Sequence, residues 1–403
     1  MKSFCSVFGL ILVCSLSQLL TACSGDTPET SEPSIINNGG NTNNGGNGNN
    51  GGGTTTFSGT GTQDDPYIIG TLSDLRKLAN DVNSGTTYQD KYFKMTKDIT
   101  INSNVFDSDG MLNENGKFNQ WTPIGNSERT SFCGVFDGGG HTISGLYIND
   151  NKQDYLGLFG ILSGVIKNLN ICDSYINGHN KCGGIAGTVT IYTNDPQIIN
   201  CSFRGALEGL NYGGGILGNN NGYDCKVDRC VNYGIIFMQM YAGGIVGGCN
   251  KATISNCINH GQIVATPLAG GIVGSSTTYK SDVILNCVNF GTIYSENGTS
   301  YGISGATPKT VSNCVNYGDA NYGICTSVYS KSQLQNTYYL DISCKTGYKS
   351  SSWPRGDIDC KSMAGKDMQK QAFLDELNKN AKDLGANFAK WKFNKDGFPT
   401  LDI

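Results

Sequence analysis

A pentapeptide of the form Gly-Gly-Ile-x-Gly recurs along the chain at nearly constant spacing. Counting the variant YGISG at 301, successive copies are separated by 31, 29, 27 and 31 residues, and their central residues are Ile185, Ile216, Ile245, Ile272 and Ile303. A unit of this length cannot bury its apolar residues alone, so neighbouring copies must stack and share one core. The period therefore limits the chain to a repeat architecture.

A second motif, Asn-Cys-x-Asn-x-Gly and its variants, has the same period. Asn precedes Cys in four copies, at 200, 256, 286 and 313, and Asp228 is assigned the equivalent place in a fifth copy. LNIC at 169–172 is taken as an earlier member. The six cysteines of this motif are Cys172, Cys201, Cys230, Cys257, Cys287 and Cys314.

The residues between the motifs predict strands rather than helices. Short β-branched runs such as ATISN, DVILN and GTIYS alternate between apolar and polar residues, and glycines punctuate them. We therefore predict an all-β parallel β-helix (β-solenoid) of about 29 residues per coil, with short helices flanking the repeats at both ends. Equivalent residues would stack ~4.8 Å apart. This stacking predicts an interior ladder of cysteines and a column of asparagines at a turn. It also predicts that the Gly-Gly pairs adopt positive φ before an inward-facing Ile.

Both flanks contain helical patterns that we expect to lie near the ends of the solenoid. Thr71 and Asp74 fit a capping box ahead of an apolar face that includes Leu75 and Leu78. In the C-terminal flank, the apolar residues at helical spacing are Met368, Leu374, Leu377, Ala381 and Leu384.

The N-terminal residues predict export and a membrane tether. A short apolar run ends in Leu20-Thr21-Ala22-Cys23, which resembles the bacterial lipobox and implies a lipid on Cys23. Ser24 follows, which by the same resemblance argues for the outer membrane or cell surface. The predicted organisation is a lipoprotein signal peptide at 1–22, lipidated Cys and an Asn/Gly tether at 23–57, N-terminal helix and first strands at 58–150, repeat coils at 151–340, and C-terminal helical cap with a closing strand at 341–403.

GGIVG followed by x-x-N-C-x-N-x-G resembles the GLUG-motif repeats of bacterial surface and secreted proteins. The flanks GTGTQDDPYIIGTLSDLRKLA and DGFPTL are similar to those usual around such repeats. The resemblance covers roughly residues 59–403 and implies a parallel β-helix on exported, often lipid-anchored proteins regarded as adhesins or accessory surface modules. It implies no catalytic residues.

Three functions follow from these patterns, and we favour the first. They are a non-catalytic adhesion or ligand-binding surface protein, a polysaccharide lyase or hydrolase on a β-helix scaffold, and a structural spacer or assembly component. The net charge of −4 and the lack of a Lys/Arg run exclude a typical nucleic-acid partner. The expected partners are the membrane, through the lipid, and a glycan or surface-protein ligand.

The candidate binding strip occupies one position of the repeat, three residues after each cysteine. With Cys inside an unbroken strand, this position faces outward, where rings could stack on sugars or contact a protein. If the rings instead face inward, they belong to the core. The strip comprises Arg204, Tyr233, His260, Phe290 and Tyr317.

The remaining chemistry-bearing residues give weak signals. His179 with Cys182, and the loop from Asp107 to Glu114, lack complete ligand sets for zinc and calcium. We predict no catalytic residue, metal or cofactor. Thirteen cysteines follow Cys23, an odd number that requires at least one free thiol or an intermolecular bond. Cys344 with Cys360 is the first disulfide pair to test.

Overall fold

The structure, a computed structural model, describes residues 56–190, 195–276, 282–296 and 298–403. The signal peptide, Cys23 and nearly all of the tether lie outside these ranges. The described chain is mostly strand and forms a parallel β-solenoid of about eight turns with roughly 29 residues per turn, as predicted. Irregular strands extend the stack at both ends.

The largest sheet has 22 strands in three stacks that follow one another along each coil. The first stack contains Tyr67–Ile69, Tyr92–Met95, Val135–Asp137, Cys225–Asp228, Ala252–Ser255, Val283–Leu285, Thr310–Ser312 and Leu334–Gln335. The second contains Ile99–Thr100, Thr142–Ser144, Val231–Asn232, Ile258–Asn259, Val288–Asn289, Val315–Asn316, Thr337–Leu340 and Cys360–Met363. The third contains Tyr147–Asn149, Ile235–Met238, Ile263–Ala265 and Ile293–Ser295. Two long strands run through all three stacks, Val165–Gly178 and Gln197–Gly209.

Two smaller parallel sheets complete the coils, and an antiparallel hairpin follows them. The eight-stranded sheet contains Asp154–Leu156, Asn180–Gly183, Tyr212–Gly214, Tyr241–Gly243, Leu268–Gly270, Thr299–Tyr301, Tyr322–Val328 and Thr346–Ser351. The five-stranded sheet contains Phe159–Leu162, Ala186–Val189, Leu217–Asn220, Val246–Gly248 and Val273–Ser275. The hairpin pairs Trp391–Phe393 with Pro399–Leu401.

The isoleucines of the pentapeptide form an interior column, and the glycines beside them are required for close packing. All five isoleucines are fully buried. The predicted positive φ at the Gly-Gly pairs is wrong, because none of these glycines has one. A Cβ on Gly244 would instead lie 2.0 Å from the Gly271 carbonyl oxygen and 2.5 Å from Asn259 Cγ. The glycine of one motif thus makes room for the asparagine of the other.

The column of asparagines that precede the cysteines lies at the bend between the first and second stacks. Asn256, Asn286 and Asn313 have φ of 53°, 54° and 52°, the left-handed region that Asn tolerates better than most residues. Asn313 donates through Nδ2 to Asn286 Oδ1 (2.7 Å), and Asn286 donates in the same way to Asn256 Oδ1 (2.8 Å). Stacked amides therefore bridge successive coils, as expected.

The assignment of Asp228 to this column is wrong by one position. Arg229 takes the bend, with φ 53°, while Asp228 pairs in register with Ser255. The Asp228 carboxylate nevertheless ends the ladder, because Asn256 Nδ2 donates to its Oδ1 at 2.6 Å. Asp137 ends an earlier ladder in the same way, since Asn168 Nδ2 donates to it at 3.0 Å, and Asn200 donates to Asn168 at 2.8 Å.

A second amide ladder runs inside the solenoid, where the sequence interpretation did not place one. Asn232, Asn259, Asn289 and Asn316 are each fully buried. Each of the first three donates through Nδ2 to the next Oδ1, at 2.8, 2.8 and 2.7 Å. The Asn-x-Gly sequence that recurs after the cysteines is the sequence feature from which this inner ladder could have been predicted. Satisfied buried amides cost little, whereas an interrupted ladder leaves unpaired polar atoms.

Within the described ranges, three α-helices flank the coils: α1 (Leu72–Asn83), α2 (Gly365–Met368) and α3 (Gln371–Leu384); Arg355–Asp357 forms a 3₁₀ turn. The capping box of α1 forms, since Thr71 Oγ1 accepts from the Asp74 N–H and Asp74 Oδ2 accepts from the Thr71 N–H. Leu75 and Leu78 join the main core next to the first strands. α3, in contrast, packs against the side of the last coils rather than only at their end.

Candidate ligand groove beside the C-terminal cap

The C-terminal segment docks on an apolar column of the second stack. Ile258, Val288 and Val315, one residue after their cysteines, point outward and join a separate apolar cluster with Leu377 and Trp391. The ladder amides contribute hydrogen bonds, because Asn313 Nδ2 donates to Leu377 O (3.0 Å) and Trp391 Nε1 donates to Asn286 Oδ1 (2.7 Å). This outward column explains why α3 and the hairpin lie along the side.

The same face continues beyond the docked segment as an open groove of about 660 Å³. This volume is within the range of small-molecule sites, roughly 300–1,000 Å³. The groove crosses five successive coils, and Ile403 borders it at the side of the cap. Its polar lining comprises Asp98, Thr100, Thr142, Ser144, Asn170, Asp173, Asn200, Ser202, Arg204 and Arg229.

Two arginines in the groove are held by neighbouring groups. The Arg204 guanidinium lies over the Tyr233 ring, 4.7 Å from its centroid. Arg229 donates to the buried Asp228 carboxylate through Nη1 and to the Asn387 carbonyl of the C-terminal segment through Nη2. Both side chains are thus pre-positioned toward the groove.

Hydroxyl and amide groups line the coils on the N-terminal side of the arginines. Thr142, Asn170, Ser202 and Val231 occupy one outward column by strand register. Ser202 Oγ donates to Asn170 Oδ1 at 2.7 Å, which joins two adjacent coils. At the far end, Asp98 Oδ1 lies 3.3 Å from His141 Nδ1. The groove therefore has Asp98 at one end and two arginines at the other, with Asp173 and neutral polar groups between them.

The predicted aromatic strip faces outward, but its ring faces are covered. Successive rings are stacked face to face. The ring centroids are 5.2 Å apart for Tyr233 and His260 (interplanar angle 3°), 5.0 Å for His260 and Phe290 (6°), and 4.9 Å for Phe290 and Tyr317 (15°). Arg204 covers one end, and Phe398 of the cap contacts Tyr317, which is 8 % exposed. The rings present edges to solvent, so the predicted flat stacking surface for sugars is not available there.

The stacked His260 ring predicts an acid-sensitive stability. Although the His260 residue is exposed at its edge, desolvation of its ring between Tyr233 and Phe290, together with the nearby Arg204 charge, lowers the pKa of His260 from 6.5 to about 4. Since the native pKa lies below the unfolded one, the contribution of neutral His260 is complete above pH 6.5 and is lost as pH falls towards 4. We expect His260→Phe to preserve the stack and remove this loss. Urea unfolding at pH 7.5 and 4.5 should show the variant gaining on the wild type only at the lower pH; equal differences at both would contradict this.

The cysteine ladder contains five of its six predicted members. Cys201, Cys230, Cys257, Cys287 and Cys314 are buried in one interior column. Cys172 is wrongly placed in that ladder, because Leu169 is the residue that pairs with Cys201. Cys172 instead faces outward and lines the groove, half-buried. The step from Leu169 to Cys201 is 32 residues, three more than the predicted period, so counting by period placed Cys172 in the ladder.

All thirteen cysteines of the described residues are free thiols, so the predicted Cys344–Cys360 disulfide is wrong in this structure. Burial raises the pKa of Cys225 and Cys360 to about 12 and that of Cys344 to about 11. Burial likewise raises the pKa of Cys257. Such thiols react slowly, because the thiolate is the nucleophile.

We expect iodoacetamide at pH 8 to modify Cys172 before any other cysteine of residues 56–403. Peptide mass spectrometry of the folded protein would identify the site, and the same reaction in guanidinium should modify all thirteen. Early modification of Cys257 or Cys287 in the folded protein would contradict their burial.

The other metal candidates of the sequence do not assemble in the structure. His179 Nδ1 lies 2.7 Å from Asp154 Oδ1, whereas Cys182 is fully buried. Asp107 Oδ1 accepts backbone N–H groups of its own loop, from Asp109 and Met111. Over the described ranges, no three His, Cys, Asp or Glu side chains are grouped to hold a metal. No helix in those ranges is long and apolar enough to cross a membrane.

Comparison with known proteins gives similarity over parts of this chain. No family model matches it. Halomucin from Haloquadratum walsbyi is 30 % identical over 200 residues, 49 % of this chain and 2 % of halomucin. A protein of Evansella cellulosilytica named "Putative Gly-rich membrane protein" is 29 % identical over 157 residues, 38 % of this chain and 14 % of that protein. The chain thus spans only a small part of each relative.

A solved structure resembles most of this chain. It is the crystal structure of "a putative immunoglobulin A1 protease" from Bacteroides ovatus, with a TM-score of 0.50 and 18 % sequence identity. The match covers 85 % of this chain and 94 % of that one. At this identity the likeness shows the fold alone.

Proposed function

We propose that the protein is a non-catalytic, surface-displayed β-solenoid that binds a glycan in the lateral groove. The groove itself carries the proposal: it is long, lined by planar and hydroxylated polar groups, and supplied with two pre-positioned arginines. Side chains with several hydrogen-bonding atoms, such as Asp, Asn and Arg, match the adjacent hydroxyls of a sugar. The resemblance of the repeats to the GLUG motif and a relative named as a membrane protein support a surface location.

The display on the membrane is proposed to use a lipid on Cys23, followed by the Asn/Gly tether. Such a tether of about 34 residues has a root-mean-square reach of ~30–35 Å, enough to hold the solenoid away from the lipid surface. Expression of Cys23→Ala should move the protein from the membrane fraction to the soluble fraction.

A variant that fills the groove tests the binding function. Ser202 shares its outward column with Val231, Ile258, Val288, Val315 and Tyr338, so the register accepts a tyrosine there. We expect Ser202→Tyr to weaken binding to glycan-array hits at least about tenfold, or 1.4 kcal/mol. Thr253→Tyr, exposed on the first stack and outside the groove, is the matched control.

Two results would count against this function. Absence of binding to any glycan would favour the spacer hypothesis. Release of reducing ends from bound polysaccharides, lost in Ser202→Tyr and retained in Thr253→Tyr, would favour the enzyme hypothesis.

A further inference from the structure

The interior cysteine ladder repeats one side-chain geometry in five successive coils. Each thiol donates to the carbonyl oxygen two residues earlier in the chain, at 3.1–3.3 Å. Each sulfur also lies 3.5–4.0 Å from a carbonyl oxygen of the preceding coil. The five side chains therefore share one rotamer and lean toward the preceding coil. The members of the ladder are Cys201, Cys230, Cys257, Cys287 and Cys314.

Strand register sets the spacing of these sulfurs. On both sides of each cysteine, the chain pairs in register with the next coil. Side chains in one rotamer on such parallel strands are separated by the strand spacing, so successive Sγ atoms lie ~4.8 Å apart. The backbone contacts agree, because the Cys257 N–H donates to Cys287 Sγ at 3.5 Å and the Cys287 N–H donates to Cys314 Sγ at 3.4 Å.

This spacing matches that of two sulfurs bound to one metal ion in a straight line. A soft d10 cation with two sulfur ligands holds them on opposite sides, with metal–sulfur bonds of roughly 2.2–2.4 Å, close to the zinc–thiolate distance. The two sulfurs are then ~4.4–4.8 Å apart. Zinc instead requires four ligands in a tetrahedron. Because no three His, Cys, Asp or Glu side chains of the described residues converge on one point, the ladder suits the two-coordinate ions and not zinc.

The surroundings of the ladder favour a complex without net charge. Leu169 and Thr337 occupy the same position in the coils before and after the ladder, and both are fully buried. A net charge in such an interior is costly. A monovalent ion held by one thiolate and one thiol is neutral: two metal–sulfur bonds form, one S–H bond breaks, and its proton passes to solvent.

We propose that the cysteine ladder binds a soft monovalent d10 cation, Cu(I) or Ag(I), in linear two-sulfur sites between successive coils. A sulfur shared by two neighbouring ions would need a straight metal–sulfur–metal angle, which bridging thiolates do not adopt. The ions therefore occupy alternate gaps, and the five sulfurs hold two ions. Because the column is buried, an ion enters as the coils form or open, and it then joins two coils. This binding is independent of the groove and of the proposed function.

Counting the metal ions held by full-chain variants tests the proposal. The protein is refolded anaerobically with excess Ag(I) or, in a second arm, Cu(I), and a glutathione wash then removes ions from exposed thiols. Bound metal is measured by mass spectrometry. Cys257→Ala leaves two separate pairs and should keep both ladder ions. Cys230→Ala isolates Cys201 and should lose one ion per chain, and the double variant Cys230→Ala/Cys287→Ala should lose both.

This pattern distinguishes the ladder from adventitious binding to thiols. Cys172→Ala, which removes the thiol of the groove, should lose no ion. An equal loss in Cys257→Ala and Cys230→Ala, or no loss in either, would overturn the proposal.

X-ray absorption at the metal edge of the loaded wild type gives a second measurement that needs no variant to fold. Two sulfur neighbours at roughly 2.2–2.4 Å are expected. Three or four sulfur neighbours, or nitrogen and oxygen neighbours in their place, would contradict a linear site between two coils.

Discussion

Replacing Ile245 by aspartate is expected to unfold the repeat coils. Ile245 is fully buried in a column of five isoleucines whose neighbours above and below are also apolar. An ionised carboxylate at such a site costs several kcal/mol, a large part of the ~5–15 kcal/mol by which typical proteins are stable. Each coil contacts mainly its two neighbours, so the defect would separate the coils before Ile245 from those after it.

Ile245→Val is the matched control for this variant. It removes one methylene and keeps the shape, and it should cost about 0.5–1.5 kcal/mol. Thermal unfolding followed by circular dichroism would compare the two. A melting temperature of Ile245→Asp equal to that of Ile245→Val would show that the column is not the core.

The second large effect is expected from Gly244→Ala, although it adds a single methyl group. That carbon would lie within 2.0 Å of a backbone oxygen of the next coil, which cannot move without breaking interstrand hydrogen bonds. It would also displace Asn259, whose amide is bonded to Asn232 and Asn289. Overpacking typically costs 1–3 kcal/mol, and the loss of a buried amide ladder adds to it, so we expect about 3 kcal/mol or more.

Gly356→Ala provides the control, since a Cβ there meets nothing within 4 Å and Gly356 has no positive φ. Its free energy of unfolding should stay within about 0.5 kcal/mol of the wild type. Denaturation in urea measures both variants. If Gly244→Ala were equally mild, the two motifs of the repeat would not be coupled by packing.

The period alone was sufficient to predict the solenoid, because stacked coils repeat their contacts. The physical role of individual residues within the repeat was harder to predict. The Gly-Gly pairs were given a conformational role, yet Gly244 is required by the space that Asn259 occupies across the interior. Sequence spacing cannot distinguish a residue that needs positive φ from one that needs the absence of a Cβ.

The groove could not be predicted from the repeat for a physical reason. It lies where the regular pattern stops: Asp98 and Thr142 precede the clear repeats, and the wall near Ile403 comes from the far end of the chain. Cys172 was misassigned because this coil is 32 residues long rather than 29, so that counting back one period from Cys201 gives Cys172, three residues after its true partner Leu169. Such juxtapositions require coordinates.

The two amide ladders have opposite directions, which bears on how such a molecule can change its length. In the ladders at the bend between the first and second stacks, each amide donates towards the N-terminus. Each of these ladders ends on a carboxylate that is paired with a cation, Asp137 with Lys167 and Asp228 with Arg229. Inner-ladder amides donate towards the C-terminus. A carboxylate accepts and cannot donate, so it terminates a chain of donors. A whole coil inserted after Asp228 would continue both amide ladders without a break. A coil inserted so that it separates Asp228 from Asn256 would need a new carboxylate to accept the last amide of the ladder. Each of these aspartates thus marks where one ladder of the bend begins. Coils can be added after it by duplication without leaving an amide unpaired.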